Sequence, residues 1–213
     1  IDKKVFYRNL LRLELPNALQ SLMLALVAAG DALMLGRVAQ DEMTAVSLAT
    51  QIQFVQNMFL AAATGAGAIL GAQYWGRGDR RTLETIFNIM LRLCGLISVL
   101  FCGACEIMPE LLMRIFTHDE ALILIGAAYL RIAGWSYLLT GISQCYLTMM
   151  KVTDHVKPGA FISSGAVLIN VCLNAVFIFG LLGMPALQAR GAALATTISR
   201  IIELALCLFV SSR

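Results

Sequence analysis

Charge is what this sequence has least of: 14% of its 213 residues are Asp, Glu, Lys or Arg, against 59% hydrophobic residues. A soluble domain carries about 25% charged residues, so a water-facing surface of ordinary composition is excluded. Histidine is nearly absent, and the two present, His118 and His155, both fall between apolar runs. No nucleophile–base set accompanies them, so the chain is not expected to be an enzyme. Of six cysteines, Cys102 and Cys105 form a CxxC, yet no second pair or neighbouring His completes a zinc set. The thiols lie almost wholly inside apolar runs, where cysteine acts as a small hydrophobe. There is no low-complexity stretch and no room for a separate soluble domain. Period-2 alternation over segments of about 10 residues, the mark of a membrane β-barrel, is missing as well.

What is present is long apolar sequence, with mean hydropathy +0.79. Six runs approach or exceed the roughly 20 residues that a spanning helix needs: Leu10–Gly36, Met43–Tyr74, Ile86–Met108, Leu122–Met150, Pro158–Leu182 and Gly191–Val210. The fold class expected is therefore an all-α polytopic membrane protein with six transmembrane helices in the lipid bilayer. With a cytoplasmic N-terminus, the inner segments hold ten basic residues (Lys3, Lys4, Arg8, Arg12, Arg77, Arg80, Arg81, Lys151, Lys157, Arg213) against three outside (Arg37, Arg114, Arg190). The positive-inside rule then places both termini in the cytoplasm. Basic residues set beside membrane spans do not fit a nucleic-acid partner. The first run is too long for a cleavable signal and lacks a small-residue cleavage site. Because the chain opens on Ile1, its true N-terminus is expected to lie upstream.

Turn chemistry separates the spans. Gly76-Arg77-Gly78-Asp79-Arg80-Arg81 is a basic turn. Thr117 or Asp119 is placed to cap the fourth span, Pro158 suits the first turn of the fifth, and Gly183-Met184-Pro185 ends it. Gly65-Ala66-Gly67 with Gly71 is no nucleotide loop, since no strand precedes it and the spacing is wrong. Gly67 and Gly71 read instead as a small-residue packing face.

Against this background the polar residues inside the spans carry the chemistry. Asp31 is a lone carboxylate late in the first span, where a charge costs about 2.5–3.5 kcal/mol even on the insertion scale. Such a group binds an ion, a proton or a cationic substrate. Asn170 and Asn174 are spaced i,i+4 and share a helix face, about 18 and 24 Å from Pro158 at 1.5 Å per residue. Thr196 lies about 8 Å inside the opposite end of the sixth span on the same rise. Asp31, Asn170, Asn174 and Thr196 thus reach one depth, in the outer half of the membrane, and either converge on a polar site or satisfy neighbouring helices singly. Pro16 is either a bend in the first helix or first-turn punctuation. Gln51, Gln53, Gln56 and Asn57 form a polar patch on the second span that faces water or a cavity. Arg200 and Glu203, i,i+3 on the sixth span, can pair, and Arg92 and Arg131 are long enough to snorkel.

Six stretches, in order, resemble the multidrug and toxic compound extrusion (MATE) transporters. They are Leu15-Pro16, Gly30–Arg37, Gly71–Asp79, Tyr129–Ile132, Asn170–Gly180 and Gly191–Thr196, and they span essentially the whole chain. The resemblance implies two six-helix lobes related by pseudo-twofold symmetry, residues 1–213 being the N-terminal one. It implies a cation-coupled antiporter of the bacterial cytoplasmic membrane that exports amphipathic organic cations and drugs by alternating access. Asp31 then matches a cation-coupling carboxylate, Asn170 and Thr196 its partners, and Pro16 the proline associated with bending of the first helix. Some members carry a second acid where this chain has Asn174. With one fixed charge, H⁺ is expected as the coupling ion over Na⁺ at Asp31 and Asn170, and no other cofactor is expected. A missing C-terminal lobe or a second copy would complete the cavity. The alternatives are a flippase of lipid-linked precursors and a non-transporting membrane assembly subunit.

Overall fold

The computed structural model describes Leu22, residues 40–180 and residues 186–211, and these are helical apart from short turns. Of the first expected span only Leu22 is described; Pro16 and Asp31 lie outside the described residues, as does the Gly183-Met184-Pro185 turn. Six helices follow in order: α1 (Gln40–Gly76), α2 (Arg80–Ile107), α3 (Pro109–Arg114), α4 (Glu120–Val152), α5 (Val156–Phe179) and α6 (Gln188–Ser211). All but α3 are long and apolar enough to cross a membrane. They correspond to the second through sixth expected spans, each two to six residues longer at its start and differing by up to three at its end. The short α3 was not expected. Pro109 cannot supply the amide that would continue α2, but it suits the first position of a new helix, so the chain breaks at Met108 and restarts.

The apolar composition is spent on both faces of the bundle. Half of the apolar window of α4 is buried, against 22% for α1 and α2, so α4 is the central helix, packed against α1, α2, α3 and α6. Its Leu130, Ala133 and Tyr137 anchor a core with Ala49 and Ile52 of α1, Cys105 of α2 and Ala193 of α6. The periphery remains apolar: Phe54, Ile69, Leu100 and Phe161 are 61–79% exposed. A soluble bundle would place charges there; lipid accepts these side chains without a hydrophobic penalty.

Close helix approach depends on glycine. A Cβ on Gly67 would lie 2.5 Å from Met90 Sδ, and one on Gly71 3.2 Å from Val152 Cγ1. Both residues are buried in α1, which agrees with the packing-face reading. Gly78 (φ 76°) turns the chain between α1 and α2, and Gly180 (φ 68°) ends α5 in the left-handed region, where a Cβ is disfavoured.

Two carboxylates set helix starts. Asp119, rather than Thr117, caps α4, accepting from Ala121 N at 2.9 Å, while Thr117 Oγ1 accepts from Asp119 N. Asp79 caps α2, accepting from Thr82 Oγ1 at 2.6 Å and Thr82 N at 3.1 Å. These bonds favour the charged form and hold the Asp79 carboxyl below its usual range. A lowered folded-state pKa gives stabilisation that is present above the unfolded carboxylate range and is lost as pH falls through the folded value. Asp79→Ala is therefore expected to speed amide hydrogen exchange at Thr82 at neutral pH, and to exchange like the parent once acid has protonated the cap. Equal exchange at neutral pH would remove Asp79 as the cap.

Candidate functional site

The polar residues of α5 and α6 meet through one side chain. Asn170 Nδ2 donates to Thr196 Oγ1 at 3.4 Å and to Ser199 Oγ at 3.3 Å, and its Oδ1 accepts from Asn174 Nδ2 at 3.2 Å. The sequence sets this up on both helices. Asn170 and Asn174 stack one turn apart on α5, and Thr196 and Ser199 share a face of α6 at i,i+3. At 1.5 Å per residue, Asn170 is about 21 Å along α5 and Thr196 about 12 Å along the antiparallel α6, so the two reach one level. Of the four residues expected to converge, three do so among the described residues. The fourth, Asp31, lies outside them.

Ser199 was not anticipated. Its signal was its spacing from Thr196, obscured because a lone serine in an apolar helix usually bonds its own backbone. It does that as well, donating to Thr196 O at 2.8 Å. Thr196 Oγ1 likewise donates to Ala192 O at 2.9 Å. Both hydroxyls thus present lone pairs to the Asn170 amide. Thr197 turns away and donates to Ile132 O of α4 at 3.2 Å.

Every member of this cluster is neutral. Amide and hydroxyl oxygens suit a small hard cation or a protonated carboxyl, but they supply no net charge. Among the described residues no group of three or more His, Cys, Asp or Glu could hold a metal ion. A fixed negative charge at the cluster would have to come from outside its own members.

The polar patch of α1 divides. Gln51 and Asn57 are exposed and remain available to water or a cavity. Gln56 is fully buried. Its Nε2 donates to Tyr137 O at 2.9 Å and Ser98 Oγ at 3.4 Å, so it ties α1 to α2 and α4 and lines no cavity among the described residues. The helical stripe that brings Gln56 beside buried Ala49, Ile52 and Leu60 was readable; the polar head hid it. A hollow of about 380 Å³, lined by Glu42, Leu124, Leu187 and Arg190 among others, lies at the helix ends, away from the Asn170 cluster. Glu42 Oε2 accepts there from Ala189 N at 3.0 Å and so secures the start of α6.

One charged pair is internal. Arg200 and Glu203 meet at 2.6 Å within α6, with Glu203 2% and Arg200 23% exposed. Glu203 is the only carboxylate or cationic side chain buried among the described residues. Pairing offsets part of the cost of both charges.

Known proteins match along most of the chain. A family model described as MatE matches residues 16–176. A probable multidrug resistance protein NorM from Bradyrhizobium diazoefficiens is 28% identical over 88% of this chain and 40% of its own length. The multidrug resistance protein MdtK of Yersinia enterocolitica is 27% identical over 89% of the chain and 41% of its own. An outward-facing multidrug resistance MATE family transporter of the MOP superfamily superposes with TM-score 0.83 at 18% identity, covering 95% of this chain and 45% of that one. A MOP superfamily transporter from Pyrococcus furiosus gives 0.82 at 18% identity over 94% and 44%. The chain spans about two fifths of the length of the curated relatives it matches.

Proposed function

Because the chain belongs to the MatE family, we propose that it is the N-terminal six-helix lobe of an exporter that expels amphipathic organic cations in exchange for protons. The protein is embedded in a membrane, which we assign to the bacterial cytoplasmic membrane with both ends of this segment inside. The observation that carries the reading is the Asn170 hub, which joins α5 to α6 through Thr196 and Ser199 and stacks on Asn174. Such an assembly of neutral donors and acceptors can serve both forms of a charge that comes and goes beside it. Asp31 supplies that charge. Protonation neutralises it and removes its desolvation cost; release restores the anion. Asn170 serves either state, because its carbonyl can accept from a carboxylic acid and its amide, on giving up Thr196 or Ser199, can donate to a carboxylate.

Asn174, an amide where a second acid would double the negative charge, favours H⁺ over Na⁺. A second six-helix lobe, or another copy of this one, would close the substrate cavity. The test is reconstitution of the full-length protein in liposomes, with export of a fluorescent organic cation driven either by a pH gradient or by a sodium gradient at matched pH. Export under the pH gradient alone is the expected result. Export driven by sodium alone would overturn the proton assignment, and failure under both gradients the exporter reading.

A further inference from the structure

Five basic side chains gather at one end of the bundle and have no part in the cluster above. Arg77, Arg80 and Arg81 belong to the turn between α1 and α2 and its edge, Lys151 and Lys157 flank the turn between α4 and α5, and all five are exposed. None of them is in an ion pair among the described residues. The two turns are neighbours in space. Trp75 Nε1, at the end of α1, donates to Asp154 Oδ2 at 3.2 Å. One helical turn earlier, a Cβ on Gly71 would lie 3.2 Å from Val152 Cγ1 at the end of α4. All four helices are long and apolar enough to cross a membrane, so their joined ends lie at a membrane–water boundary. Tyr74 and Trp75 are residue types that favour that boundary.

The acids of this surface are fewer and mostly engaged. Asp79 is held by Thr82 as the cap of α2, Asp154 by Trp75, and Glu84 stands exposed one turn inside α2. Two of the arginines are oriented by rings: the Arg80 guanidinium carbon lies 5.9 Å from the centre of the Trp75 ring, and that of Arg77 5.6 Å from the centre of the Tyr74 ring. A guanidinium held over an aromatic face keeps its N–H edge available, and that edge matches a phosphate in bidentate fashion. Apolar surface adjoins the patch. Less than two turns into the membrane from Trp75 and Lys157, Ile69 and Phe161 are 65% and 79% exposed. We propose that the two turns form a binding site for an anionic phospholipid, with its phosphate among the basic side chains and its acyl chains along α1 and α5. Clusters of basic residues at the ends of membrane helices attract anionic headgroups in this way. A free phosphate would satisfy the cations but leave the apolar surface uncovered. The bound lipid ties the α1–α2 turn to the α4–α5 turn and so reinforces the Trp75–Asp154 bond. The site does not depend on what the exporter carries or on which ion drives it.

The test uses the full-length protein in a neutral detergent, with phosphatidylglycerol, phosphatidylcholine or inorganic phosphate added, read by native mass spectrometry and by melting temperature. Phosphatidylglycerol should stay bound and raise the melting temperature, and phosphatidylcholine at the same concentration should do neither. Combining Arg77→Gln, Arg80→Gln and Lys151→Gln should weaken phosphatidylglycerol binding about 100-fold, at about fivefold per basic residue near an anionic headgroup, with melting in detergent alone unchanged. Lys151→Gln with Lys157→Gln leaves both ring-held arginines in place and guards against a folding defect; a loss of about 25-fold is expected on the same scale. Arg114→Gln with Arg190→Gln removes as much charge at the opposite helix ends and should bind like the parent. Undiminished binding by both patch variants overturns the site, as does equal binding of the two lipids by the parent. Equal protection by inorganic phosphate overturns the lipid assignment and leaves a simple anion site.

Discussion

Asp31→Asn in the full-length protein is expected to abolish pH-driven export while leaving expression, membrane insertion and substrate binding near their original levels. The substitution is nearly isosteric and removes the costly charge, so insertion becomes easier by as much as about 2.5–3.5 kcal/mol. An amide keeps an acceptor oxygen where the carboxylate had one, but it neither takes up nor releases a proton at any physiological pH. Coupling therefore goes to zero rather than weakening. Asn170→Ala provides the contrast. It deletes bonds to Thr196, Ser199 and Asn174, each worth about 0.6 kcal/mol on average between membrane helices. The summed loss of about 1–2 kcal/mol corresponds to a decrease of about 5–30-fold, a graded defect. Transport assays on both variants, with binding measured in parallel, separate the two. Full driven export by Asp31→Asn would remove it from the coupling mechanism.

How much of this was legible beforehand differs from residue to residue. The spans were, because the cost of burying backbone and charge in lipid forces long apolar runs. Depth along antiparallel helices was enough to bring Asn170 and Thr196 together, since rise per residue is fixed and the helix ends are marked by loops. Azimuth was less accessible. Ser199 and Gln56 are placed by which face of α6 and α1 turns inward, and in apolar helices hydrophobicity is nearly uniform around the axis. Only the hydrogen bonds of Asn170 and Gln56 reveal that face. The Arg200–Glu203 pair was predictable from i,i+3 spacing, but its asymmetry, with Glu203 buried and Arg200 partly open, needed the packing of α6 in the bundle. The break at Pro109 was likewise written in the sequence. The third run accordingly closes at Met108; the short restart over Pro109–Arg114 was the part not expected.

Gly191 offers the second large effect, on folding. The Leu187 amide donates to Phe177 O at 2.9 Å, satisfying one of the carbonyls that the end of α5 leaves without an intrahelical partner. Gly191 then passes directly over that carbonyl: an added Cβ would lie 2.7 Å from Phe177 O and 2.8 Å from its carbonyl carbon. These are backbone atoms, which cannot rotate aside as the Met90 side chain can beside Gly67. Overpacking of this kind costs about 1–3 kcal/mol and occasionally more, against a helix-propensity gain of about 0.8–1.0 kcal/mol for Gly→Ala. Gly191→Ala should therefore lower the melting temperature of the detergent-solubilised full-length protein, and Gly191→Leu should prevent a folded, monodisperse species. Gly65→Ala is the control, because nothing lies within 4 Å of a Cβ there; it should leave the melting temperature unchanged or raise it. Equal melting of the Gly65 and Gly191 alanine variants would show that the α5–α6 junction yields. The consequence would then reach the coupling cluster: Thr196 follows Gly191 by five residues on α6, and its 3.4 Å contact with Asn170 survives only if α6 enters the bundle at the height that this junction fixes.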